Sequence, residues 1–268
     1  METDNNELYQ LIAKLDWQLN MGVEAMVEEK HNDNSDIGIV KTNKENFSKL
    51  EIPQKIDTSY LQEEEVKQDK ILQLSIDKCL TLEELKDYML DFNGCDLKKT
   101  ATQLVFSDGN PNSNIMIIGE APGAEEDRQG KPFCGASGKL LDKMLASINL
   151  DRSTVYITNV IPWRPPGNRT PTENEISLMK PFLMRHIEIV APKLLVAVGG
   201  SASRAILNIE GGILRHRGIW KEIRLSNSFV IPIIATLHPA YLLRAPNQKK
   251  LAWEDLKSIR SKLQELND

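Results

Sequence analysis

Four short apolar runs, each followed by a glycine-, proline- or polar-rich loop, constrain this chain more than any other feature. They are Ile115–Ile118, Val155–Thr158, Leu194–Val198 and Ile231–Thr236, and helical stretches lie between them. Ser137–Ile148 sets Leu140, Leu141, Met144, Leu145 and Ile148 on one helical face. Thr172–Val190 opens with the capping box Thr172-x-x-Glu175 and contains Pro181, which should kink it. A shorter helix is expected near Ser201–Leu207 and a last one over about Gln248–Leu266. Continuous apolar strands alternating with helices predict an α/β fold, a mostly parallel sheet covered on both faces.

The loop after each strand is informative. The four loops begin at Gly119-Glu120-Ala121-Pro122-Gly123, at Asn159 running to Arg169, at Gly199-Gly200-Ser201, and at Leu237-His238 running to Arg244. Open α/β sheets bind ligands beyond the carboxyl ends of their strands, so one shared crevice is expected there.

Outside this pattern the chain changes character. Residues 7–29 carry a helical periodicity through Leu8, Leu11, Ile12, Leu15 and Leu19, and residues 1–29 are taken as a helical leader. Residues 30–70 read as an acidic, polar linker, expected to be disordered, which leaves 71–268 as the folded domain. Residues 1–70 hold 8 Lys+Arg against 16 Asp+Glu, and the remainder 25 against 22. An acidic leader on a mildly basic body permits a nucleic-acid partner without demanding one. No apolar run is long enough to span a membrane, the start is too polar for a secretory signal, and three cysteines without CxxC spacing favour a reducing cytoplasm.

From about Gln103 to Leu256 the loops carry a specific set of motifs in order. They are Gly119–Gly123 with Glu125-Glu126-Asp127, Gly130-Lys131-Pro132-Phe133-Cys134-Gly135, Tyr156-Ile157-Thr158-Asn159, Arg164-Pro165-Pro166-Gly167-Asn168-Arg169-Thr170-Pro171, Arg217-Gly218, and His238-Pro239-Ala240-Tyr241-Leu242-Leu243-Arg244. In this combination the chain resembles the family 4, iron–sulfur type uracil-DNA glycosylases. The resemblance implies a three-layer α/β/α sandwich around a four-stranded parallel sheet. It also implies release of uracil from DNA, with uracil-containing DNA as partner and base excision repair as setting.

The same resemblance suggests roles. Phe133 would stack on the flipped uracil, and Asn159 would read its O4 and N3–H edge with one carboxamide. Gly123 stands where a related family has a tyrosine that blocks the thymine methyl, and Ala121 where related families have an aspartate general base. Glu120 and Glu126 are then the remaining carboxylates for water or for the oxocarbenium-like sugar. His238 would hydrogen-bond uracil O2 as charge develops. Leu242 is the expected wedge, and Arg244, Ser201, Arg164 and Arg169, with Asn168, the expected DNA-backbone contacts.

The family's [4Fe–4S] ligands would fall at Phe92, Cys95, Trp163 and Met179, so one thiolate stands where four are needed. No cluster and no other cofactor is expected, with apolar packing as the substitute. A monomer is expected, with a repair or replication protein as the partner considered for the leader. Two alternatives stay open: a glycosylase for another deaminated base, suggested by the open side at Gly123, and a chemically decayed DNA-binding protein of the same fold.

Overall fold

The computed structural model describes residues 70–267 apart from 227 and 228. The leader expected over 1–29, and all but the last residue of the linker expected over 30–70, lie outside the described residues. After a helical segment over 70–77 the elements run in this order: α1 Leu82–Asp91, α2 Leu97–Thr100, β1 Asp108–Gly109, β2 Ile115–Gly119, α3 Ala124–Gln129, α4 Ala136–Ala146, β3 Tyr156–Asn159, α5 Glu173–Val190, β4 Leu194–Val198, α6 Gly200–Leu207, β5 Trp220–Arg224, β6 Val230–Thr236, α7 Pro239–Arg244 and α8 Lys249–Asn267.

The sheet order is β1-β3-β2-β4-β6-β5. The four inner strands are parallel, whereas β1 and β5 add on antiparallel at the two edges. The expected four-stranded parallel sheet is therefore the centre of a six-stranded mixed one. Both additions escape an apolar-run criterion: β1 is two residues long, and β5 is an edge strand reading Trp-Lys-Glu-Ile-Arg with only Ile223 buried.

Side-chain alternation along the strands divides the core into the two layers of a sandwich. Met116, Ile118, Leu195, Ala197, Ile231 and Ile233 face α1, α5 and α6. Ile115, Ile117, Val196, Val198 and Ile234 face α4, α7 and α8. Every residue of β2 and β4 is buried, which is why those strands are apolar on both sides. The capping box of α5 forms in both directions, from Glu175 N–H to Thr172 Oγ1 and from Thr172 N–H to Glu175 Oε2, and the helix continues through Pro181 to Val190.

One buried polar group sets a pH dependence. His186 on α5 stacks on Phe106 at 4.5 Å between ring centroids and sits 2.8 Å from the Tyr156 hydroxyl. Burial holds its imidazole down at about 3. An unfolded histidine titrates near 6.5, so at intermediate pH the unfolded chain binds a proton that the folded chain refuses. This contribution to stability is complete above about pH 6.5 and is lost as pH falls toward 3. Urea titrations from pH 7 to 4.5 should show the loss, and His186→Gln should make it shallower, leaving the part that His238 contributes. An acid limb of equal steepness in wild type and variant would contradict the assignment.

Candidate active site

The carboxyl ends of the four parallel strands open into one cleft of about 580 Å³. Its lining comes from all four loops: Glu120, Ala121 and Gly123 after β2, Asn159 and Asn168–Thr170 after β3, Gly199 and Gly200 after β4, and Leu237, His238, Tyr241 and Arg244 after β6. Phe133, Glu126, Ser137 and Ile213 also line it.

Phe133 is held in an exacting position. Its φ of 52° is unusual for a bulky side chain and must be held by its surroundings. Arg152 does this: it donates to the Phe133 and Pro132 carbonyls while pairing with Asp108 at 2.6 Å and Asp142 at 2.9 Å. Gly138 lets the first turn of α4 come close, since a Cβ there would lie 1.6 Å from the Phe133 carbonyl oxygen. The ring and the Asn159 carboxamide meet over Gly119, where a Cβ would be 2.5 and 2.3 Å from them. Sequence reasoning did not single out Arg152 or Gly138. The arginine's partners are backbone carbonyls and aspartates distant in sequence, which no local motif signals.

His238 faces Phe133 with ring centroids 5.6 Å apart. Its Nδ1 accepts the Ala240 N–H at 3.1 Å, capping α7, so the proton of the neutral ring resides on Nε2. Burial first, then the nearby Arg244 charge, push its pKa down to about 4. The histidine is therefore a neutral donor at physiological pH.

The two glutamates differ in their partners. Glu126 accepts the Gly123 N–H at 3.1 Å and the Gly135 N–H at 2.8 Å, tying the loop after β2 to the loop of Phe133. Among the described residues no donor reaches the Glu120 carboxylate, which lines the cleft. Glu126 positions loops, and Glu120 is the carboxylate left available to a reactant. At Gly123 a Cβ would have only the Glu126 carboxylate within 4 Å, so this wall of the cleft is thin.

Two expected DNA contacts, Leu242 and Ser201, need correction, and Arg169 and Arg164 are engaged within the chain. Leu242 is 1% exposed and belongs to the core between α4 and α8, which removes it as a wedge; Leu243, 46% exposed, projects instead. Ser201 is buried, and the Gly199 and Gly200 backbone faces the cleft in its place. Arg169 is paired with Glu175 at 2.6 Å, and this bond holds the Glu175 carboxyl down at about 2. Arg164 does not line the cleft; it donates to Asn168 Oδ1 at 2.7 Å and so shapes the loop that does. Arg244 is exposed at the cleft edge.

A ring platform, a carboxamide, a neutral imidazole donor and an unpaired carboxylate around one cavity suit a planar heterocycle leaving as an anion. The family model of the uracil DNA glycosylase superfamily matches residues 106–257, which contain this whole cleft. The chain belongs to the uracil DNA glycosylase superfamily. It is 40% identical over 188 residues to the type-4 uracil-DNA glycosylase of Sulfurisphaera tokodaii, covering 67% of this chain and 84% of that protein. The corresponding enzyme of Archaeoglobus fulgidus is 39% identical over 183 residues, 67% of this chain and 92% of that one. That of Thermotoga maritima is 38% identical over 173 residues, 62% and 86% respectively.

The four residues that the resemblance places at iron–sulfur ligand positions, Phe92, Cys95, Trp163 and Met179, do not suit a cluster in this structure. Trp163, Met179 and Cys95 are buried, and Phe92 packs on Phe182 with ring centroids 5.0 Å apart. All four belong to, or lie against, the same apolar layer, and burial pushes the lone Cys95 thiol up, away from the thiolate a metal requires. Among the described residues no group of three His, Cys, Asp or Glu could hold a metal ion.

Proposed function

We propose that this chain is a uracil-DNA glycosylase that hydrolyses the N-glycosidic bond of deoxyuridine in DNA, acting without an iron–sulfur cluster. The observation that carries the reading is the convergence of Phe133, Asn159 and neutral His238 on one cleft of a superfamily member. Extruding the nucleotide costs a few kcal/mol, least in single strands or at mismatches. The uracil then lies on Phe133, with Asn159 pairing to O4 and N3–H and His238 Nε2–H donating to O2. As the N1–C1′ bond breaks, its electron pair moves onto the base, where His238 stabilises the charge. Water adds to C1′, with Glu120 orienting it or taking its proton, and uracil N1 is reprotonated from solvent. The products are free uracil and an abasic site.

Cytosine offers the opposite donor and acceptor pattern to Asn159 and would leave buried groups unpaired, a mismatch that can reject an analogue by about 10⁴-fold. A panel of oligonucleotides carrying uracil, hypoxanthine, xanthine, thymine or cytosine tests the substrate. Release of uracil well ahead of the others is expected. Faster release of hypoxanthine or xanthine would move the assignment to another deaminated base.

The two glutamates are separable by kinetics and melting together. Glu120→Gln should lower kcat by about 10²-fold with an unchanged Tm. Glu126→Gln keeps only one acceptor for two backbone N–H groups, so it should lower Tm and raise KM as well. The reverse pattern would exchange their roles.

A further inference from the structure

Beside the uracil cleft lies a second groove, of about 620 Å³, lined by Gly211, Gly212, Ile213, Leu214, Arg215 and Tyr241. Ile213 and Tyr241 line both, so the groove adjoins the cleft. The loop that forms it is held in shape. Its turn is closed by Arg215 N–H to Gly212 O at 3.1 Å and Arg217 N–H to Ile213 O at 2.8 Å. His216 Nε2 bonds the Glu210 carbonyl at 2.7 Å across the loop. At its exit Arg217 grips the buried Asp255 of α8 and the Leu251 carbonyl. Gly211, at φ 87°, makes the bend that other residues would resist. On this fixed turn Leu214 is 54% exposed and Arg215 is exposed beside it. An aliphatic side chain held out to solvent, next to a guanidinium and an aromatic ring, is poor core design and a good nucleotide seat.

Resting on the glycosylase reading, we propose that this groove is a second nucleobase subsite, taking the base of the nucleotide adjoining the extruded uridine. Tyr241 and Leu214 form its apolar walls, and Arg215 meets the phosphate beyond that base. A neighbouring nucleotide must pass the cleft mouth whenever uridine enters, and in single strands its unstacked base needs a platform. Aromatic stacking provides that platform with tolerance of base identity.

The test uses single-stranded oligonucleotides with one uridine, in which the 5′ or the 3′ neighbouring base is replaced by an abasic tetrahydrofuran residue that keeps the phosphates. Wild type should lose roughly tenfold in kcat/KM when the base on one side is missing. Leu214→Ser should lose roughly fivefold on the intact strand and equal wild type on the strand that lacks that base, with Tm and saturating kcat unchanged. Arg215→Ala should weaken binding to every strand and reduce the slope of log affinity against log salt by about 0.7. Wild-type indifference to both missing bases, or an equal loss by Leu214→Ser on all strands, would overturn the subsite while leaving the glycosylase intact. An intact strand that wild type does not cleave would overturn both.

Discussion

His238→Ala is expected to lower kcat for uracil release by about 10²–10³, the usual effect of removing one donor aimed at developing charge. Its ring is fixed from one side by the Ala240 N–H and from the other by Phe133, so the Nε2 proton is aimed before the base arrives. The alanine variant also loses the cap of α7, at about 1 kcal/mol. His238→Asn supplies a cap acceptor without the reach of the imidazole, and it should regain Tm without regaining rate. The depressed pKa adds a second signature. With its ionisation at about 4 in the free protein, His238 contributes no titration to kcat/KM between about pH 5 and 8. A rate ionisation near 6.5 that vanishes in His238→Asn would contradict the neutral-donor role.

The second large effect concerns stability. Trp163 is 2% exposed in the layer it shares with Cys95, Met179 and Phe182. Trp163→Ala should cost about 3–5 kcal/mol, read as a lowered urea midpoint, because the surroundings collapse only partly around the space it vacates. A retained cluster would instead draw its stability from metal coordination, and the tryptophan would be replaceable. A cost below about 1 kcal/mol, or unfolding provoked by an iron chelator, would mean that this layer is not held by apolar packing.

How far the residues alone announce this molecule depends on how local the cause is. The inner strands announce themselves because burial on both faces demands continuous apolar residues, and Thr172 with Glu175 announces α5 because a capping box is complete within four residues. Edge strand β5 stays hidden because its outward residues are polar and its pairing partner comes later in the chain. Leu242 and Leu243 show the limit most clearly. They are adjacent and chemically identical, and only the packing of α7 between α4 and α8 decides that the first is core and the second is exposed. Glu120 and Glu126 are equally indistinct until the backbone N–H groups of two loops are seen to converge on the latter. Asn159 and His238 are legible through the family resemblance of the motifs that hold them; the close approaches of Gly119 to Asn159 and Phe133, and of Gly138 to Phe133, exist only in space.

The most direct test is uracil excision by purified protein whose iron content is measured on the same sample, on a labelled strand with one uridine, with and without chelator. Release of uracil at unchanged rate is expected, with substoichiometric iron, and abolished in Asn159→Ala. Activity that tracks bound iron would contradict the cluster-free enzyme, and a folded protein inert on single-stranded uridine, on uridine opposite guanine and on uridine opposite adenine would contradict the glycosylase itself.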